Sequence, residues 1–235
     1  MFGKNKYVNF VSDKDFLKCV EHVCKGYAEA RENLSIDDLR SNGLDPFKTI
    51  FDLINKRLNF DTWLKNEEMR QADKTLNNRI GEFHQKLLGN VKGWMDLGTG
   101  DDSKVDLMKE DKSIFIELKN KFNTVNSDSL DKVRDKLEKA IQQNRTAKAY
   151  WAFIISKNNS SGDKVWIKKG RKASDRIRVI YGSKVYELVT RDKDALKKTW
   201  LALPRAINDY FRGKSVMILE EDMKKLVGLF GLALQ

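Results

Sequence analysis

The chain has 235 residues, 40% of them hydrophobic and 34% charged, with a mean hydropathy of −0.59 and a formal net charge of +11. That length supports a substantial core, while the longest apolar runs, Tyr150–Ile155 and Leu226–Leu234, fall short of the ~20 residues a bilayer span needs. The basic excess points to polyanion partners, nucleic acid first; two cysteines five apart (Cys19, Cys24) imply no disulfide framework or zinc site, and only two histidines exclude a multi-histidine centre.

In chain order, residues 13–31 read as a helix with Phe16, Val20, Val23 and Tyr27 at three- and four-residue spacing. Asp45-Pro46 is a helix start, with Asp as cap and Pro in the first turn, followed by the apolar stripe Phe47, Ile50, Phe51, Ile54 and Leu58. A further helix spans about 72–88, with Leu76, Ile80, Phe83 and Leu87 toward the core and Gly89 ending it. Gly93 to Ser103 is a turn-rich loop, and its Gly98-Thr-Gly100 lacks the following Gly-Lys-Ser/Thr of a phosphate loop. Residues 104–120 read as a β-hairpin. Ser127 or Asp128 caps the next helix, with Leu130, Val133, Leu137 and Ile141 on one face. Ala149–Ser156 is a strand buried on both sides. Val165–Lys168, Ile177–Tyr181 and Val185–Val189 read as short strands, the last two joined at Gly182-Ser183. Helices over 192–212 and 220–234 close the chain. The expected fold is α/β: a central mixed β-sheet flanked by helices, in a single domain over 1–235. Within it, 1–70 form a helical N-terminal portion, 71–190 the catalytic core and 191–235 the C-terminal helices. The N-terminus, Met1-Phe-Gly-Lys-Asn-Lys6, lacks the apolar stretch of a secretory signal, so a cytoplasmic protein off the membrane is expected.

The chemistry concentrates in the hairpin. If it turns at Asp111-Lys112, Asp106 lies directly opposite Glu117, and opposed residues point the same way. Alternation along the strand then puts Phe115, Glu117 and Lys119 on one face and Ile114, Ile116 and Leu118 on the other, joined by Val105 and Leu107. The turn lacks the usual glycine. Two carboxylates facing each other across a sheet repel, and a divalent cation removes that cost; oxygen ligands of this kind suit Mg²⁺. Such an ion polarises a phosphoryl oxygen and acidifies a bound water, while Lys119 can act on that water and offset the charge that develops on phosphorus. The set fits phosphodiester hydrolysis.

At these residues the chain resembles the PD-(D/E)xK nucleases. Val105-Asp106 stands where that superfamily has Pro-Asp, and Glu117-Leu118-Lys119 forms the second half of its motif. The longer string through Asn126, with Gly81-Glu-Phe-His-Gln85 upstream, is similar to type II restriction endonucleases of the branch cutting GGNCC-type sites. The resemblance implies a restriction-endonuclease-like fold and Mg²⁺ held by Asp106, Glu117 and the carbonyl of Leu118. It implies Lys119 at the attacking water and Glu82 as an acidic residue from an earlier helix. It also implies double-stranded DNA as substrate, a homodimer matching a palindromic site, and a DNA methyltransferase as functional partner. The closing helices are candidates for the dimer interface. His84 has no partner motif of a His-metal nuclease and reads as a packing or DNA-contacting residue. Asn120, Lys121, Asn123, Thr124 and Asn126 follow the catalytic strand and offer amides and hydroxyls for bases and phosphates. Lys164 to Arg178 carries seven basic residues, including Lys168, Lys169, Arg171, Lys172 and Arg176, and reads as a phosphate-binding ridge.

Overall fold

The computed structural model describes residues 5–32, 45–98, 105–124, 127–142, 144–212 and 220–233. They divide into two compact units, one of residues 1–20 with 81–235 and one of residues 21–80. The helices are α1 (Asp13–Glu32), α2 (Pro46–Asn55), α3 (Phe60–Gly89), α4 (Ser127–Gln142), α5 (Ser183–Thr190), α6 (Ala195–Tyr210) and α7 (Glu220–Ala233). The strands are β1 (Trp94–Asp96), β2 (Leu107–Lys109), β3 (Ile114–Lys121), β4 (Lys148–Ile155), β5 (Gly162–Val165) and β6 (Ile177–Tyr181).

Within the 21–80 unit, α2 begins as its sequence dictates. The Asp45 carboxylate accepts from the backbone N–H groups of Phe47 and Lys48, and Pro46 occupies the first helical position, where a missing N–H costs nothing. Phe47, Ile50, Phe51 and Ile54 of its apolar stripe are all more than half exposed. The opposite side carries Asp52 paired with Lys48 and Lys56 one turn away in each direction.

In the larger unit the six strands form one mixed sheet in the order β1-β2-β3-β4-β6-β5. β1, β2 and β3 run as an antiparallel meander; β3, β4 and β6 are parallel; β5 closes the far edge antiparallel to β6. Parallel neighbours need a crossover, and α4 supplies it between β3 and β4. This is the helix-flanked α/β architecture expected. The β3/β4 register pairs Phe115 with Ala149, Glu117 with Trp151 and Lys119 with Phe153, so these six side chains share a face. Over it α4 lays Val133, Leu137 and Ile141, forming a core with Phe115, Ala149, Phe153, Ile177 and Val179. The alternate residues Leu107, Ile116, Leu118, Ala152, Ile154 and Ile180 are buried on the other face.

The hairpin has the expected register. Leu107 faces Ile116 and Met108 faces Phe115, and Asp106 lies in the bend just ahead of the first pair. The turn closes with Lys112 donating to the Lys109 carbonyl at 2.8 Å, and Lys112 itself takes φ +56°, doing the work of the missing glycine. Val105 departs from expectation. It packs into the core with Phe115 rather than with the isoleucines, because Asp106 sits in a bend ahead of β2 and strict alternation does not carry back through it.

Three elements differ from the sequence reading. Val185–Val189 is not a strand but part of α5. Gly182, at φ +67°, turns the chain into it, and Val185, Tyr186 and Val189 are one, three and four apart, which buries all three on a single helical face. The strand expected at Val165–Lys168 lies earlier, at Gly162–Val165, where it pairs with β6. The loop expected over Gly93 to Ser103 contains β1, and Gly89 lets α3 end against it: a Cβ there would lie 2.8 Å from the Asp96 backbone nitrogen.

Candidate active site

Three of the residues singled out in the hairpin meet at one point. Asp106 lies immediately before β2, and its Oδ2 accepts from the Leu118 backbone N–H at 2.6 Å, which fixes the carboxylate at the end of the β2–β3 ladder. Glu117, in the middle of β3, is only 2% exposed. Lys119 follows on the same face, its Nζ 2.8 Å from Glu117 Oε1 and 3.6 Å from Asp106 Oδ2. The leucine between them turns its side chain to the opposite face, where it is buried, so it presents only backbone to the site.

A fourth group was not anticipated. Lys136 of α4 reaches the sheet with its Nζ 3.3 Å from Glu117 Oε2 and 3.4 Å from Oε1. The signal in the sequence is faint. Lys136 follows Val133 by three residues and precedes Leu137 by one, so it flanks the stripe that α4 buries, and a long aliphatic stem there can carry an ammonium across the core's edge.

The electrostatics follow from burial. Removal from water, then the nearby Glu117, pushes the Asp106 carboxyl up to about 6, against opposing pulls from Lys119, the Leu118 N–H and Lys136. Burial also acts on the Lys119 ammonium, lowering its pKa, but Asp106 and Glu117 together outweigh it and hold the group above its ordinary value. Among the described residues no three carboxylates, histidines or cysteines gather in one place. The anionic donors are therefore two, Asp106 and Glu117. Two carboxylates with water and a backbone carbonyl suit a hard, octahedral divalent cation rather than a soft or histidine-bound one.

The raised carboxyl gives a stability prediction with a definite sign. Above pH 7 Asp106 is ionised in the folded protein at a cost absent from the unfolded chain. Below about pH 4 it is protonated in both states. Asp106→Asn keeps an oxygen for the Leu118 N–H and removes the charge, so at pH 8 in a chelator it should unfold with ~1–3 kcal/mol more stability than wild type. The difference should shrink as pH falls through about 6 and vanish near pH 4. Denaturant melts across that range check it, and a variant no more stable than wild type at pH 8 contradicts the assignment.

Glu82 lies on α3, which runs close to β3: a Cβ on its neighbour Gly81 would lie 3.8 Å from the Asn120 Cβ. It does not form a three-carboxylate cluster with Asp106 and Glu117. One turn on, Gln85 is buried and donates to Asp96 Oδ1 at 2.7 Å, tying α3 to β1. His84 packs edge-on against Tyr186 and shares a 2.7 Å hydrogen bond with its hydroxyl; burial depresses the imidazole to about 4. Its ring also packs edge-on against Phe83.

Of the loop following β3, Asn120 is half-buried and Lys121, Asn123 and Thr124 are exposed, with the Thr124 hydroxyl donating to the Lys121 carbonyl at 2.8 Å. Asn126 lies outside the described residues. The basic segment is largely engaged within the chain. Lys168 pairs with Asp131, Arg171 with Asp135 and Glu138, and Arg178 with Asp163. Arg176 donates to the carbonyls of Ile141, Asn144 and Arg145, satisfying the C-terminal end of α4. Lys169 and Lys172 are exposed and make no ion pair with another described residue. At the chain's end, Phe230 of α7 packs on Trp200 of α6 with ring centroids 5.0 Å apart, so part of that apolar surface is already used internally.

The chain resembles known proteins over most of its length. Residues 8–212 match the family model described as Eco47II restriction endonuclease. The chain is 32% identical over 219 residues to the type II restriction enzyme Sau96I of Staphylococcus aureus, covering 89% of this chain and 83% of that protein. It is also 32% identical over 216 residues to the type II restriction enzyme Eco47II of Escherichia coli, covering 85% and 86%. The match takes in the hairpin, α4 and the whole sheet, and the chain belongs to the Eco47II restriction endonuclease family.

Proposed function

We propose that this restriction endonuclease uses Mg²⁺ to hydrolyse phosphodiester bonds in double-stranded DNA at a short palindromic site of the GGNCC type. The observation that carries the reading is the convergence of Asp106 with Glu117 and Lys119 of β3, through the Asp106–Leu118 N–H and Lys119–Glu117 hydrogen bonds and the 3.6 Å Lys119–Asp106 ion pair. Asp106 and Glu117, with the Leu118 carbonyl, would hold the ion, which supplies Lewis-acid polarisation of the phosphoryl oxygen and a more acidic water. The chain's own residues do the rest. The Leu118 N–H orients Asp106, the sheet core behind β3 fixes Glu117, and Lys119 places its ammonium where it can align the attacking water and offset negative charge on phosphorus. Glu82, carried past β3 by α3, adds to the acidic surroundings.

Asn120, Lys121, Asn123 and Thr124 leave the site directly and are proposed DNA contacts, joined by Asn126, Lys169 and Lys172; Lys168, Arg171 and Arg176 would reach DNA only by exchanging their present partners. A two-fold site calls for a two-fold enzyme, so a homodimer with one catalytic set per strand is proposed. A DNA methyltransferase would protect the same site in the host cytoplasm.

Plasmid digestion in Mg²⁺ followed by sequencing of the fragment ends tests this reading. Discrete fragments sharing one palindrome at every end are expected. Cleavage confined to branched substrates would instead indicate a repair nuclease, and binding without any cleavage would show the carboxylates to be inert.

A further inference from the structure

Lys136 has no part in the chemistry above, yet it touches the most buried acid in the site. Its side chain is 17% exposed and that of Glu117 3%. Its ammonium stands almost equally far from the two carboxylate oxygens, at 3.3 and 3.4 Å, whereas Lys119 sits at 2.8 Å on Oε1 alone. A charge pair this deep is tolerated only with close, hydrogen-bonded partners, and Glu117 has two. Here two ammoniums on one face balance two carboxylates, so Asp106, Glu117, Lys119 and Lys136 sum to zero charge without any metal. A divalent cation added to that set leaves an uncompensated charge of plus two in a poorly solvated pocket. One ammonium must give way, and the longer, straddling contact from α4 is the weaker of the two.

Resting on the nuclease reading, we propose that Lys136 is a positioning residue that serves as an internal counter-cation for Glu117. It keeps the carboxylate ordered and paired in the metal-free enzyme, and metal loading displaces it. Lys136 therefore sets the cation concentration at which the site fills. The cost of loading is the separation of Lys136 from Glu117, and removing the ammonium removes that cost.

The test is Mn²⁺ titration of the full-length, DNA-free protein, read by loss of the free-Mn²⁺ paramagnetic resonance signal. Lys136→Met, which keeps the aliphatic stem, is expected to bind Mn²⁺ about tenfold more tightly than wild type. Lys136→Arg, which keeps the charge, should return to the wild-type value. Lys136→Gln retains a neutral donor to Glu117 and should follow Lys136→Met, so the answer does not depend on the packing of one variant. A purely structural lysine would change the melting temperature and leave Mn²⁺ affinity alone. Affinity in Lys136→Met and Lys136→Gln equal to or weaker than wild type overturns the proposal. Glu117→Gln is the control for the underlying reading: if it binds Mn²⁺ as wild type does, the metal site itself is misassigned. If it loses binding while the Lys136 variants are unchanged, only the role of Lys136 fails.

Discussion

Lys119→Ala should lower DNA cleavage by at least about three orders of magnitude while leaving site-specific binding in Ca²⁺ within a few-fold of wild type. The asymmetry follows from where Lys119 is. Its ammonium is directed at Glu117 and Asp106, so its loss should remove little ground-state contact with the duplex. In the proposed mechanism it removes a positive charge beside the reacting phosphorus, which matters in the transition state. The variant should still fold, because Lys136 remains to pair Glu117. Lys119→Arg should not restore the rate, because the guanidinium is larger, planar and spreads its charge over a fork where the lysine presents a compact ammonium. Single-turnover cleavage and gel-shift titration on the same oligonucleotide separate the two effects. Wild-type cleavage by Lys119→Ala would remove the mechanism proposed for this site.

The largest loss of stability is expected at Arg134→Ala, a residue with no role in the chemistry. Arg134 is 1% exposed, among the largest fully buried side chains in the described protein. It donates to the Trp166 and Lys172 carbonyls, each at 2.9 Å, and to Glu138 at 2.7 Å, with its guanidinium 5.5 Å from the centre of the Trp166 ring. One planar fork thus fastens the 166–172 loop to α4. Truncation leaves a cavity and carbonyls without donors, at a cost of ~3–5 kcal/mol. For a chain of this length that corresponds to a melting temperature lower by roughly 10 °C. Arg134→Lys should recover only part of the loss, since an ammonium cannot reach two carbonyls and a carboxylate in the same plane. Thermal melts check both variants, and a change of less than about 2 °C in Arg134→Ala would show that the loop is held by something else.

What could be read from the sequence was what is local along the chain. Asp106 and Glu117 are eleven residues apart in a hairpin, so a turn position alone sets their register, and both the pairing and the facing of Lys119 follow. The caps and strand cores of α2 and β4 are likewise short-range. The rest depended on partners the sequence does not mark. α5 looked like a strand because Val, Tyr and Val favour sheets, and the burial of one helical face overrode that preference. β1 is three residues long and exists only because β2 lies beside it. Val105 changed face at a bend that has no residue signature. Lys136 meets Glu117 from nineteen positions away, across a helix–strand contact. The apolar stripe of α2 has the right period for a buried face, but period says nothing about whether a surface is present to meet it.

The ion pairs between α4 and the basic segment bear on how this protein would respond to salt. Seven cationic side chains facing a duplex would displace about six condensed counterions, since each neutralised phosphate contributes about 0.9 to the slope of log affinity against log salt. Lys168, Arg171 and Arg178 already have carboxylates, and Arg176 is spent on carbonyls. To touch phosphate, each would first have to leave its present partner, and the ions released on one side would be offset by the acid left bare on the other. A chain of net charge +11 therefore has, in this segment, a much smaller reserve for ionic attraction than its composition implies. Its affinity for DNA must rest correspondingly more on contacts that salt does not weaken.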